Sequence, residues 1–210
     1  MDYDKYYLYS LITHSTAIEG STLTELDTQL LFDEGVTAKG KPLVYHLMNG
    51  DLKQAYELAK AESDRLVPIT PAFLKTLNAT LMRTTGSVHS VMGGSFDSSK
   101  GEFRLCGVTA GVGGHSYMNY LNLVTIHPWV DGNGRTARLL MNYIQFLYNL
   151  FPTKIFKEDR DGYILALRQS QEEDNNLPFL AFMAEQLKKS LSLEIERFDS
   201  SQKRGFNFLF

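Results

Sequence analysis

The sequence predicts a mainly α-helical bundle built around one central buried helix, with a small β-hairpin at its edge. Apolar residues recur at helical spacing over most of the chain, punctuated by capping residues and prolines. The stretch from Ala137 to Phe151 is apolar nearly all round, as expected of a helix enclosed by others. Residues 86–115 are instead rich in Gly and Ser and hold short strand-like pieces.

The elements follow in chain order. Residues 3–17, dense in Tyr3, Tyr6, Tyr7, Leu8, Leu11 and Ile12, predict a first helix that turns at Glu19-Gly20-Ser21. Thr24 is read as the N-cap of a second helix through Phe32, with Asp27 three residues on as a loose capping box and Gly35 as its stop. Residues 43–62 read as one or two helices. Pro68 and Pro71 then break the chain, and Thr70 caps a helix over about 71–84. The segment EFRLCGVT (102–109), preceded by Asp97-Ser98-Ser99-Lys100-Gly101, is read as the hairpin. A helix ending at Ile126, one starting near Gly134, and two more at about 158–171 and 177–198 complete the pattern.

Composition narrows the function classes. Of 210 residues, 43% are apolar and 21% charged, near the averages for soluble globular chains, so a disordered tail or low-complexity filament is excluded. A net charge of −3 argues against coating a nucleic acid or an anionic membrane. The single cysteine, Cys106, allows no internal disulfide and no cysteine-built zinc cluster, and with no visible signal peptide it gives the expectation of a reducing, cytoplasmic setting. The 137–151 run is short and carries Arg138, which makes it a poor membrane span. The other histidines, His14, His46, His89 and His115, show no metal-ligand spacing.

Sixteen glycines are unevenly spread: seven lie between Gly93 and Gly114, and two more sit in IHPWVDGNGRTARLLMN. In that phrase Pro128 pushes His127 out of the preceding helix. Asp131-Gly132-Asn133-Gly134-Arg135 then forms a tight loop entering a helix N-terminus, whose unpaired N–H groups and dipole favour an anion. Glycines let the backbone approach a phosphate, and Arg135 and Arg138 add charge-assisted donors. Asp131 is a hard oxygen ligand suited to Mg²⁺ shared with phosphate, and His127 is placed to take a proton from a hydroxyl. Arg138, Asn142, Gln145 and Asn149 form one polar stripe, readable either as a satisfied seam or as the wall of a site. The sequence holds no P-loop phrase.

HPWVDGNGRTAR (127–138) resembles the signature of the Fic (Fic/DOC) family, H-P-[FW]-x-[DE]-G-N-G-R-x-x-R. LLMN (139–142), DRDGYILAL (159–167) and LPFLAFMAEQLKKSL (177–191) resemble the family's flanks and later helices. Upstream, HSTAIEGSTLT (14–24) is similar to the inhibitory motif [ST]-x-x-x-E-[GN], with Ser15, Glu19 and Gly20 in its places, and GEFRLCGVT (101–109) resembles the flap that docks a target. The likeness covers about 14–191. One departure is that only 17 residues separate Thr109 from His127, where the family places one or two further helices.

The resemblance implies a Fic-type bundle and transfer of AMP from ATP to a Ser, Thr or Tyr hydroxyl of a protein. His127 would be the base and Asp131 the Mg²⁺ ligand. Gly132, Asn133 and Gly134 would cradle the phosphates, with Arg135 and Arg138 pairing to them, and Tyr163 would lie near the nucleotide base. Glu19, with Ser15, would pair with Arg138 and inhibit. Phe103, Arg104, Leu105 and Val108 would dock the target, and Trp129 would anchor the loop from beneath. The implied organisation is one compact unit: an N-terminal helical region (1–92) with the inhibitory helix at about 10–20, a core with flap and motif loop (93–198), and a tail (199–210). Removal of AMP by the same site, or a non-enzymatic module with a vestigial nucleotide site, are the alternatives. The expected partner is a target protein, with self-modification and a homodimer left open, and with neither nucleic acid nor membrane.

Overall fold

The computed structural model describes residues 3–105 and 119–206. Among these, eight α-helices run in the order α1 (Tyr3–Ile18), α2 (Glu25–Glu34), α3 (Leu43–Asp64), α4 (Pro71–Leu81), α5 (Asn119–Ile126), α6 (Asn133–Leu147), α7 (Arg160–Glu172) and α8 (Leu177–Phe206). A two-stranded antiparallel hairpin, β1 (Val88–Val91) and β2 (Gly94–Asp97), follows α4 and pairs Val88 with Asp97 and Val91 with Gly94. None of the described helices is long and apolar enough to cross a membrane.

Local chemistry sets the helix ends. Thr24 accepts the Asp27 N–H while the Asp27 carboxylate accepts the Thr24 N–H, a complete capping box, and Gly35 closes α2 in the left-handed conformation. Thr70 accepts the Phe73 N–H at 3.1 Å, and Pro71 occupies the first turn of α4, where no N–H is needed. Residues 43–64 form one helix rather than two. The final helix continues past the predicted end at 198 to Phe206, so the expected tail begins inside it.

The centre of the bundle is α6. It packs against α3, α4 and α5, and α1 reaches its N-terminal half. Leu52, Ala55, Leu77, Leu81, Ala137, Leu139, Leu140 and Tyr143 are buried at these contacts. Each large side chain so enclosed contributes about 1.5–3 kcal/mol. α1 is fixed by polar contacts as well as by packing. Thr13 and Asn49 donate to Thr28 Oγ1, and Thr16 donates to Asn49 Oδ1, linking α1, α2 and α3 through buried groups. Glu25 faces His14 and accepts from Ser10 and Tyr6; the His14 contact and these hydrogen bonds outweigh burial and hold its carboxyl down at about 2. Buried Lys154 donates to Ser10 and faces Glu194 of α8.

The hairpin is not where the sequence placed it. Of the predicted 102–109 strands, residues 102–105 are irregular, and 106–109 lie outside the described residues, as does His115. The paired strands are 88–97 instead, and Asp97 leads into a 3₁₀ turn at Ser98–Lys100. Gly101 ends that turn at φ +66, pressed against α4: a Cβ there would lie 2.2 Å from the Lys75 carbonyl. It is a helix-packing glycine, not the tip of a hairpin. Gly40 shares the positive φ (+75) but has open space around it.

Alanine at Gly40 should therefore cost about 1 kcal/mol, the left-handed backbone term alone. At Gly101 the overpacking against Lys75 should add about 1–3 kcal/mol. Urea unfolding of the two variants measures the difference, and equal losses would contradict the close packing of Gly101 on α4.

Candidate functional site

The site forms where the C-terminal end of α1 meets the N-terminal end of α6. α1 terminates at Glu19-Gly20: Gly20 sits at φ +97, and the N–H groups of Glu19 and Ser21 both reach the Thr16 carbonyl at 3.1 Å. Arg160 of α7 donates from Nε to the Ile18 carbonyl at 2.9 Å, satisfying one carbonyl the helix leaves open. This turn delivers Glu19 to α6. Arg138 donates from Nη2 to Glu19 Oε1 at 2.6 Å and to the Ser15 carbonyl at 3.0 Å, and from Nε to Ser15 Oγ at 2.9 Å. The Arg138 side chain is 4% exposed and that of Glu19 35%. Burial raises the Glu19 carboxyl, but the Arg138 charge and hydrogen bond, with Arg135 and Arg160 nearby, outweigh it and hold it below its usual range.

The Glu19 carboxylate lies over the start of α6. A Cβ built on Gly134 would sit 2.7 Å from Glu19 Oε1 and 3.2 Å from Arg138 Nη1. The absent side chain at Gly134 is the space that an acidic oxygen now fills. Gly132 is needed for a different reason. It holds φ +78 at the helix entrance, and a Cβ there would press on Met82 Sδ, Asn78 Nδ2 and Leu81 Cδ2 at 2.9–3.0 Å. Its N–H is bonded to Asp131 Oδ1 at 2.6 Å. Asn133 turns its side-chain amide back onto the Trp129 N–H and carbonyl, at 3.1 and 2.8 Å, closing the loop on itself. Trp129 is fully buried beneath, donating from Nε1 to the Gly101 carbonyl at 3.0 Å.

Arg135 carries the strongest unmet demand. Its side chain is 3% exposed, and Nη2 reaches Asp131 Oδ2 at 3.3 Å and Met82 Sδ at 3.4 Å. Nε and Nη1 are buried with no hydrogen-bond partner. Buried cationic donors left unpaired are costly, so this end of α6 favours negative charge. Asp51 of α3 supplies part of the balance: burial raises its carboxyl, opposed by bonds from Thr84 and by the Arg135 charge. Asp131 is 65% exposed at the rim. One open carboxylate beside a phosphate-favouring helix end suits Mg²⁺, which takes few protein oxygens and completes its shell from phosphate and water. No cluster of three acidic, His or Cys side chains able to hold a metal by themselves occurs among the described residues.

His127 follows α5 directly, half-buried, at φ +51. Tyr163 is 2% exposed, with Arg138 6.0 Å from its ring centroid and Phe182 on another side. Of the expected docking residues, Phe103 packs on Trp129 and under Lys75, and Arg104 bonds to the backbone at 126–128. Leu105 is exposed beside the hairpin tip at Gly93–Gly94, near Met92, which is fully exposed; Val108 and Cys106 lie outside the described residues. Of the polar stripe, Asn142 and Gln145 bond one another and Thr153, and Asn149 falls beyond the helix end. The stripe is thus a satisfied seam below Arg138. Asp51 and Arg160 were not singled out by sequence; Arg160 stands inside the quoted DRDGY segment, while Asp51 is one acid on an amphipathic helix and gives no local signal.

Residues 68–145 match the model of the Fic/DOC family, a span that includes the hairpin, the loop and most of α6 but not α1. The chain is similar to the protein adenylyltransferase Fic of Drosophila virilis, 30% identical over 216 residues covering 87% of this chain and 41% of that protein. Similarity to the Drosophila grimshawi protein of the same name is 31%, covering 87% and 42%. The chain thus spans less than half the length of these curated relatives. Its fold resembles those of Fic-1 from C. elegans (TM-score 0.75, 21% identity, 92% of this chain and 64% of that one) and of a Fic domain containing signaling protein from Bacteroides thetaiotaomicron (0.69, 22%, 92% and 87%).

Because the net effect of its surroundings lowers the Glu19 carboxyl, the Glu19–Arg138 pair should stay intact from neutral pH down to the ordinary glutamate value of 4.5 and be lost only as pH falls through the lower folded value. A ¹³C titration of the Glu19 carboxyl, assigned with Glu19→Gln, should give a midpoint below 4.5. A midpoint at or above it would contradict the pairing.

Proposed function

From the premise that this chain contains a Fic/DOC family domain, we propose that it transfers AMP from ATP to a hydroxyl side chain of a protein, and that Glu19 holds the reaction off. The observation that carries this reading is the Glu19 carboxylate seated against Gly134 and Arg138, at the anion-favouring end of α6. A carboxylate and a phosphate oxygen compete for the same donors there.

His127 accepts the proton of the incoming Ser, Thr or Tyr hydroxyl. The hydroxyl oxygen bonds to the α-phosphorus as the bond from that phosphorus to the bridging oxygen breaks, and pyrophosphate leaves with the electron pair. The α6 N-terminus and the buried Arg135 charge stabilise the charge on the phosphates, a largely electrostatic form of catalysis. Asp131 would hold Mg²⁺, which supplies charge neutralisation on the phosphates when bound. Arg138 takes the terminal phosphate once Glu19 withdraws, and Tyr163 packs beneath that guanidinium. The exposed Met92 and Leu105 beside the site offer an apolar rest for the target. A cytoplasmic setting belongs to the same reading.

Intact-mass measurement with ATP and Mg²⁺ tests the proposal, with the chain itself as acceptor. Glu19→Gly should gain AMP at least about tenfold faster than wild type, the equivalent of one lost competing interaction of 1.4 kcal/mol. Glu19→Gly/His127→Ala should gain none. Equal rates in wild type and Glu19→Gly would overturn the inhibition, and a Glu19→Gly variant that neither binds ATP nor gains an adduct would overturn the transfer.

A further inference from the structure

We propose that Arg104 is a positioning residue for His127, holding its backbone in the conformation that aims the imidazole; this rests on the reading of His127 as the proton acceptor. His127 stands at φ +51, a left-handed conformation uncommon for a side-chain-bearing residue. It arises as the stop of α5: the His127 N–H closes the last turn on the Leu123 carbonyl at 3.0 Å, and Pro128 forbids continuation. A helix stopped this way leaves its last carbonyls without intrahelical donors.

One residue from a distant segment meets them. Arg104 donates from Nε to the His127 carbonyl at 2.7 Å, from Nη2 to the Ile126 carbonyl at 3.3 Å, and from its backbone N–H to the Pro128 carbonyl at 3.0 Å. Three successive carbonyls, centred on His127, are thus held by a single planar fork and its own peptide. A guanidinium fits two adjacent carbonyls at fixed spacing, which an ammonium does not. Its charge also stands at the negative end of α5.

Arg104 is itself held. Phe103 packs on Trp129 with ring centroids 5.7 Å apart, under Lys75 Nζ at 4.3 Å, and Trp129 bonds the Gly101 carbonyl. Segment 101–104 is therefore clamped along 126–129, and the backbone of His127, turned by the stop of α5, is held from outside its own loop. A residue of the expected docking flap is engaged with the backbone of the reactive histidine.

The test uses Arg104→Ala and Arg104→Lys in the full chain, each alone and with Glu19→Gly. The ¹³Cα and ¹³Cβ shifts of His127, assigned by NMR with His127→Ala, report its backbone conformation without any reaction. We expect Arg104→Ala to move these shifts and Arg104→Lys to fall between it and wild type. In the Glu19→Gly background, Arg104→Ala should lower the rate constant for AMP transfer about tenfold to a hundredfold with the ATP KM changed less than about twofold, as for a misplaced reactive group. Unchanged His127 shifts in Arg104→Ala would overturn the proposal. Moved shifts with an unchanged transfer rate would overturn it too, since the grip would then be structural only. Failure of the underlying reading shows separately, as transfer that survives His127→Ala.

Discussion

A guanidinium that is 4% exposed in the middle of a helical bundle must be met by oxygen, and this structure meets Arg138 largely with one end of one helix. Ser15 Oγ, the Ser15 carbonyl and the Glu19 carboxylate come from the final turns of α1, so Arg138 keeps these partners only while α1 is docked. That requirement explains the polar investment elsewhere in α1. The Thr13–Thr28–Asn49–Thr16 chain and the Glu25 cluster fix its rotation and its position along its axis. Arg160 then grips its last carbonyl, so that Glu19 leaves the helix over Gly134 rather than toward solvent.

The charge balance one turn closer to the start of α6 is incomplete. Arg135 is as buried as Arg138 but has two unpartnered donors, with Asp51 at electrostatic range and Asp131 mostly in water. Glu19 adds its charge to the same region: against burial, Arg138 first and Arg135 after it hold its carboxyl below its usual range. Withdrawing it would leave the buried Arg138 guanidinium and a helix N-terminus without that carboxylate, a demand that a polyphosphate supplies charge to fill. Inhibition and binding are then two occupancies of one electrostatic demand.

Much of this was legible in the sequence wherever the signal was local. The Thr24 and Thr70 caps, the stop at Gly35 and the loop from Trp129 into α6 follow from side-chain chemistry within a few residues. Ser15, Glu19 and Arg138, 123 residues apart at their farthest, were joined only through the resemblance; helical spacing alone says nothing about residues so far apart. The hairpin was misplaced because Gly101 carries the marks of a turn, whereas its lack of a side chain serves contact with α4, a tertiary cause. Gly132 is similar: its neighbours belong to α4 and to Met82 at its C-cap, not to the loop itself. The bonds of Arg104 to carbonyls 126–128 depend on two segments meeting in space, and no periodicity records them.

The central claim is that the Glu19 carboxylate and a phosphate oxygen occupy one place. Isothermal titration of inorganic triphosphate into wild type and Glu19→Gly measures that competition without a nucleotide base, a target or catalysis. The account predicts binding at least about tenfold tighter to Glu19→Gly. Equal affinity of wild type and Glu19→Gly for triphosphate would contradict it.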